Sequence, residues 1–289
     1  MTYFPFLKWA GGKRWLSAYT HELLPEEYNH YFEPFMGGAA MFGAIQPSAA
    51  TLADVNAELV NCYKQVADNP TVILDGLMQL QTLHSEDTYY RVRSETPIDD
   101  VERAIRFLYL NRACFNGIYR VNQSGQFNVP KGTKETILFP YDDFPAASAL
   151  LKSAEIVISD FEPIIDIAKS GDFVFCDPPY TVAHNNNGFV RYNERMFSWE
   201  DQVRLKDTLI RASSRGVLIL LTNAAHSSIK DLYAGTEFDC RAVSRQSVIG
   251  GGRGYRGEYG EFLISNYALP LFNESAASMR TPSDRPGMH

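Results

Sequence analysis

Asp177-Pro178-Pro179-Tyr180 is the stretch of this 289-residue chain whose residue types and spacing can do chemistry. A carboxylate, the rigid carbonyl of Pro178 and an aromatic face suit a planar base that carries an exocyclic amine. Asp177 and the Pro178 carbonyl can accept the two N–H bonds of such an amine while Tyr180 stacks on the ring. The amine's lone pair is otherwise delocalised into the ring. Holding both hydrogens favours the pyramidal nitrogen that attacks an electrophile, which is positioning combined with electrostatic stabilisation. Two successive prolines fix φ and remove two backbone donors, so the segment neither extends a strand nor opens a helix in the ordinary way. A strand followed by a proline-rich turn with a capping Asp has the same composition, and the tetrapeptide alone does not separate the two readings.

The elements that must position these residues can be read around them. Gly171-Asp172 opens the continuous apolar run Phe173–Cys176, which reads as a strand buried on both faces. Asp177 then lies at the strand's carboxyl end, where open α/β sheets bind ligands. Upstream, Tyr31-Phe32-Glu33-Pro34-Phe35-Met36-Gly37-Gly38 reads as a strand running into a Gly-rich turn and a helix. The third glycine of the dinucleotide fingerprint is missing. Ala50–Asp54 is a second strand ending in an acid, and an acid about twenty residues beyond a Gly-rich turn typically takes ribose hydroxyls. Asn56 can cap the next helix, where Leu59, Tyr63 and Val66 share a face until Asp68-Asn69-Pro70 stops it. Together these form a nucleoside-binding βαβ unit. Ahead of it, Phe6–Lys13 carries a Gly11-Gly12 turn without P-loop spacing, because Arg14 follows Lys13; Trp9 and Lys13 could still bracket a small zwitterion. Later strands are expected at Ile156–Ile158 (ending at Asp160-Phe161), Val217–Leu221, Cys240–Val243 and Phe262–Ser265, with a Ser198-capped helix burying Leu205, Leu209 and Ala212.

Between Pro70 and about Leu150 the alternation of strand and helix breaks. Helices are expected over Val72–Leu83, Thr88–Ser94 and Asp99–Arg112. Phe115–Pro130 follows, with Asn116-Gly117 and Ser124-Gly125 pairs suggesting a hairpin-like loop that is polar, basic and aromatic, suited to base edges. The net charge of −7 argues against nucleic acid until it is mapped. Arg103–Lys134 holds four Arg and two Lys without an acid, and Arg241–Gly257 holds four Arg without an acid, so the local field favours a polyanion. An apolar content of 45% with 21% charged residues belongs to a soluble globular chain. Val217–Leu221, the longest aliphatic run, is too short to span a membrane, and no secretory signal opens the chain. Four scattered cysteines without Cys-x-x-Cys spacing indicate neither a disulfide framework nor a zinc site. The expectation is a cytoplasmic, metal-free protein without a membrane anchor. Domains are expected at 1–69 with 151–268 for catalysis and at 70–150 for target recognition. The loop Asn185–Gly188 and the tail 269–289 are expected to be flexible.

Read together and in order, Phe6–Lys13, Glu33–Ala39, Asp54, Asn116–Pro130 and Asp177–Tyr180 resemble the Dam-type DNA adenine-N6 methyltransferases, over about Phe6 to Tyr267. The resemblance implies an α/β fold: a seven-stranded, mostly parallel class I methyltransferase sheet with one antiparallel strand near its edge and a mainly helical recognition insertion. It implies S-adenosylmethionine as methyl donor, double-stranded DNA as partner and a monomer. Trp9 and Lys13 would contact the methionine end of the donor, Phe35 and Gly37 the wall and floor of its turn, Asp54 the ribose, and Asp160 with Phe161 the adenine. Asp177, Pro178 and Tyr180 would receive the flipped target adenine, with Asp177 also facing the donor. Arg120 would read a guanine edge, Asn116 and Ile118 the neighbouring pair, and Phe115 would fill the space the flipped base leaves; Arg93, Asn128 and Lys134 would also lie at the DNA. Asn116–Arg120 resembles GATC-specific members. Two departures stand out: Ala39 where relatives commonly carry Gly, and Lys131-Gly132-Thr133-Lys134 in place of aromatic-Gly-Arg-Tyr. N4-cytosine methylation usually presents Ser at the Asp177 position and glutamine methylation Asn. A catalytically silent DNA-binding protein on the same fold is the rival from another class.

Overall fold

The computed structural model describes residues 5–181, 197–246 and 258–269. The Asn185–Gly188 loop, Arg253 and Arg256 of the second acid-free stretch, and the tail beyond Leu269 lie outside them. Seven strands, β1 (Tyr31–Glu33), β2 (Ala50–Asp54), β3 (Ala154–Ile158), β4 (Phe173–Cys176), β5 (Leu218–Ala224), β6 (Asp239–Gln246) and β7 (Glu258–Ser265), make one sheet in the order β3-β2-β1-β4-β5-β7-β6. β7 is antiparallel to both β5 and β6, which makes it the one reversed strand near the edge of an otherwise parallel arrangement. The sheet with its helices is an α/β fold of the class I methyltransferase type. The chain divides into two compact units, Met1–Thr20 with His30–Ile164 and His21–Asn29 with Ile165–His289.

In the first unit β2 pairs in parallel with β1 and β3, so Glu33, Asp54 and Ile158 end their strands on the same side. β2 is buried from Ala50 to Ala53 and emerges only at Asp54, as expected for a central strand with a functional carboxyl end. Asn56 caps the helix Ala57–Asp68 by accepting from the Glu58 and Leu59 amides, and that helix buries Leu59, Tyr63 and Val66. The following helices run Pro70–Thr82, Glu86–Ser94 and Asp100–Ala113, the last capped by Asp99. A further helix, Phe144–Leu151, was not anticipated: its sequence, Phe-Pro-Ala-Ala-Ser-Ala-Leu-Leu, has no polar face to reveal a helical period.

The second unit is built on β4, whose four residues are all buried, matching the continuous apolar run. Beside it lies β5, paired in parallel from Phe173↔Leu218 to Cys176↔Leu221. β5 runs past Leu221 through Thr222, Asn223 and Ala224, all buried, so its polar end is not a loop. A capping box of Ser198 and Asp201 opens the helix Trp199–Ser214, and Leu205, Leu209 and Ala212 form its inner face. Burying each of those leucines contributes about 1.5–3 kcal/mol. Among the described residues no helix is long and apolar enough to cross a membrane.

Candidate functional site

The carboxyl ends of β1, β2 and β3 carry the residues expected at the cofactor. Gly37 sits at φ +46°, and a Cβ there would come within 2.8 Å of the Trp9 indole, so a bare backbone lets Trp9 lie flat on the turn. The Gly37 amide donates to Asp54 Oδ2 at 3.1 Å and the Asn56 amide to Oδ1 at 2.9 Å. Burial pushes the Asp54 carboxyl upward, and the amides of Asn56, Gly37 and Val55 oppose it. Phe35 is half-buried and stacks on the buried Phe161 ring at 5.3 Å, while Asp160 accepts from the Glu162 amide at the start of the helix Phe161–Asp166. Next to Asp54 in sequence, Val55 is 65% exposed, and Ile158 on β3, the register partner of Asp54, is 58% exposed. Two exposed aliphatic side chains next to a fixed carboxylate suit a purine-and-ribose group. Sequence reasoning singled out neither Val55 nor Ile158, because lone aliphatics carry no motif. Lys13 is buried with its ammonium donating to the Gly11 carbonyl at 2.9 Å. Trp9 stacks on Phe107 and Tyr119.

These residues fit the methyl donor that the resemblance implies. A fixed carboxylate suits a diol, an apolar slot suits an adenine, and a glycine turn beneath an indole suits the amino-acid end. Gly37→Ala is expected to weaken donor binding by about tenfold, roughly the 1–2 kcal/mol that a left-handed alanine costs, while pushing the Trp9 indole off the turn. Titration calorimetry with S-adenosylmethionine reads it; an affinity equal to the parent's would remove Gly37 and Trp9 from the cradle. Ala39 also lies in the left-handed region, at φ +46°. The advantage of glycine at that position is therefore conformational, and this chain keeps a strained backbone there with its methyl group buried.

In the second unit Asp177 ends β4, partly exposed, and Pro178 is buried behind it. The Thr222 hydroxyl donates to Asp177 Oδ1 at 2.7 Å. Past Tyr180, Thr181 is buried and donates to the Phe197 carbonyl at 3.1 Å.

The expected DNA-reading segment is a compact turn within the first unit. Asn116 and Gly117 both have positive φ, and the Ile118 amide donates to the Phe115 carbonyl, which makes the Asn-Gly pair a type I′ turn. A Cβ on Gly117 would meet Lys8 Cδ at 2.4 Å, so only glycine lets the lysine stem pass under the turn. Phe115, 51% exposed, and Asn116 stand at the tip, with Ile118 half-buried behind them. Val121 bridges Phe127 in antiparallel fashion, and Asn122 closes the loop by accepting from the Ser124 and Gln126 amides. The exposed Arg120 guanidinium is steered by Asn128, whose Oδ1 accepts from Nε at 2.8 Å. Arg93 lies over the Tyr90 ring and donates to the Val129 carbonyl. Lys134 lies 5.4 Å over Phe139. Lys8 is the residue that sequence reasoning left out: burial first, then the neighbouring Lys134 ammonium, lower it to about 8. Two ammonium groups this close raise the local positive potential, as an anion site needs.

What holds this turn against the N-terminal arm is the end of the helix Asp100–Ala113. Asn111 Oδ1 accepts from the Lys8 amide at 2.9 Å and its Nδ2 donates to the Lys8 carbonyl at 2.7 Å. Arg112, fully buried, forks onto Asp142 at 2.5 and 2.9 Å and also donates to the carbonyls of Phe6 and Ile137. Among the described residues no group of three or more His, Cys, Asp or Glu is placed to hold a metal ion.

The profile of the D12 class of N6 adenine-specific DNA methyltransferases matches residues 9–249. The type II methyltransferase M1.LlaDCHI of Lactococcus lactis subsp. cremoris is 38% identical over 272 residues, covering 91% of this chain and 95% of its own. The DNA N-6-adenine-methyltransferase of Escherichia phage P1 is 38% identical over 83% of this chain, which spans only 32% of that longer protein. A DNA adenine methylase of Haemophilus influenzae is 31% identical over 83% of this chain and 86% of its own.

Proposed function

This chain belongs to the D12 class of N6 adenine-specific DNA methyltransferases, and from that premise we propose that it transfers a methyl group from S-adenosylmethionine to N6 of an adenine flipped out of duplex DNA, within GATC. The observation that carries the reading is the Asp177 carboxylate fixed at the end of β4 and followed by two prolines. Asp177 and the Pro178 carbonyl accept the adenine's two amino hydrogens, and Tyr180 stacks on its ring. That grip draws the nitrogen lone pair out of conjugation and aims it. Trp9, Lys13, Phe35, Gly37, Asp54, Asp160 and Phe161 would hold S-adenosylmethionine, which when bound supplies an electrophilic sulfonium methyl. The proton released from nitrogen passes toward Asp177 or solvent.

In the DNA, Phe115 occupies the space left by the extruded base and Arg120, steered by Asn128, reads a guanine edge. Asn116 and Ile118 face the neighbouring pair, and Arg93 and Lys134 lie near the phosphates. The name of the Lactococcus relative makes a restriction-modification role a natural setting. We further take the protein to act as a monomer in the cytoplasm of a bacterial or phage-infected cell, with residues 70–150 as its recognition insertion.

Unmethylated plasmid incubated with the protein and S-adenosylmethionine is expected to gain resistance to GATC nucleases that methylation blocks, while methyl-dependent ones begin to cut. No protection and no labelled methyl in the DNA would end the catalytic reading in favour of a silent DNA-binding protein; label without GATC protection would move the site. Arg120→Ala is expected to relax discrimination at one base pair by about 1–3 kcal/mol. Sequencing of methylated positions reads this, and an unchanged site preference would shift recognition to other residues.

A further inference from the structure

Two successive prolines remove two of the four backbone donors of Asp177–Tyr180, which leaves more of the holding to side chains of neighbouring elements. We propose that Thr222 and Gln202 are positioning residues that clamp the acceptor loop from its two ends; this rests on the reading of Asp177–Tyr180 as the acceptor site. The parallel register Cys176↔Leu221 sets Thr222 of β5 beside Asp177. Thr222 is fully buried, with its hydroxyl 2.7 Å from Asp177 Oδ1 and 3.4 Å from the Cys176 carbonyl. One hydroxyl has one proton, and the shorter contact to the charged acceptor takes it. The carboxylate is thereby fixed in rotation, and its other oxygen is aimed.

Asn223 follows Thr222 and, by the strand's period of two, projects to the opposite face. From there its Nδ2 donates to Gln202 Oε1 at 3.0 Å, Gln202 Nε2 donates to Thr181 Oγ1 at 3.1 Å, and the Thr181 hydroxyl donates to the Phe197 carbonyl at 3.1 Å. Asn223 Oδ1 accepts from the Ala224 amide at 2.8 Å. Gln202 and Asn223 are both fully buried, so each donor and acceptor in the relay is set in one direction. One strand thus holds Asp177 directly and the residue after Tyr180 through a glutamine. A buried glutamine on the inner face of an amphipathic helix is otherwise a poor choice for packing; its use here is geometric.

The test uses the full chain, S-adenosylmethionine and a duplex containing its methylation site. Thr222→Val keeps the shape and removes the hydroxyl. Its kcat is expected to fall about tenfold to a hundredfold, the scale at which outer-shell contacts orient a reacting group, while KM for the donor and duplex affinity stay within about twofold. Thr222→Ser restores the rate. Gln202→Met is expected to behave like Thr222→Val. Matching kcat in parent, Thr222→Val and Gln202→Met, with Asp177→Ala silent, overturns this inference and leaves the acceptor reading intact. A loss of kcat accompanied by equal losses of donor and duplex affinity, unrepaired by serine, assigns a purely structural role and also overturns it. Turnover retained in Asp177→Ala defeats the acceptor reading itself.

Discussion

Asp177→Ala is expected to lower methyl transfer about a thousandfold or more, the scale of removing a main electrostatic contact aimed at the reacting group. The bound amine loses the acceptor for one of its two N–H bonds, and its lone pair returns to conjugation with the ring. Donor affinity should change far less, because the cradle proposed for it, around Gly37, Asp54 and Phe35, is made by β1, β2 and β3 and their turns. Folding should survive as well, since Asp177 is partly exposed and the Thr222 hydroxyl it releases has the Cys176 carbonyl already within 3.4 Å. Asp177→Asn keeps one acceptor oxygen and should retain measurable activity between the two extremes. Single-turnover transfer of labelled methyl, with calorimetric donor binding measured in parallel, reads both quantities. A mutant rate within about tenfold of the parent, a barrier change of only about 1.4 kcal/mol, would remove Asp177 from the chemistry.

The contrast between β4 and the helix Asp100–Ala113 explains what was legible in the sequence. β4 announced itself because a strand buried on both faces must be apolar throughout, and an acid at its end then has few roles. Asn116-Gly117 was legible for a similar reason: two consecutive positive φ angles are costly for most residues. The acid-free stretch Arg103–Lys134 was less faithful as an electrostatic signal. Arg103 pairs with Glu58 and Asp100, Arg112 with Asp142 and Lys131 with Glu135, all acids lying outside the window. Arg106 donates to the carbonyls of Val92 and Arg93. A run of like charge in sequence measures the local chain, whereas the field depends on partners brought in by folding. Of the six cations, Arg120 and Lys134 are the ones left to face outward at the turn's side. Thr222 and Gln202 were invisible for the same cause, since each acquires its meaning from a partner 45 or 21 residues away.

Asp142→Ala is expected to destabilise the protein by about 3–5 kcal/mol, because it leaves the Arg112 guanidinium buried without its counter-charge. The carbonyls of Phe6 and Ile137 still accept from Arg112, but two neutral acceptors do not balance a full charge in a site where Arg112 is 0% and Asp142 4% exposed. The Phe139 amide, which donates to Asp142 Oδ2 at 2.8 Å, loses its acceptor too. At about 2–4 °C per kcal/mol the midpoint of thermal unfolding should fall by roughly 6–20 °C. Adding Arg112→Met to Asp142→Ala should recover part of the loss, since removing both charges leaves only neutral groups unsatisfied, the carbonyls of Phe6 and Ile137 and the Phe139 amide. The pair therefore has a sign as well as a size: the double variant must be more stable than the single. A midpoint within about 1 °C of the parent's for Asp142→Ala, well inside the span of an ordinary surface change, would mean the guanidinium finds water or another carboxylate and the clasp is not what fixes the arm. If the clasp is real, its loss loosens Phe6, and through Lys8 and Trp9 the same arm reaches both Gly37 and Tyr119. A stability mutation in the first unit should then weaken donor binding and site selection together, a correlation that neither half of that unit would produce alone.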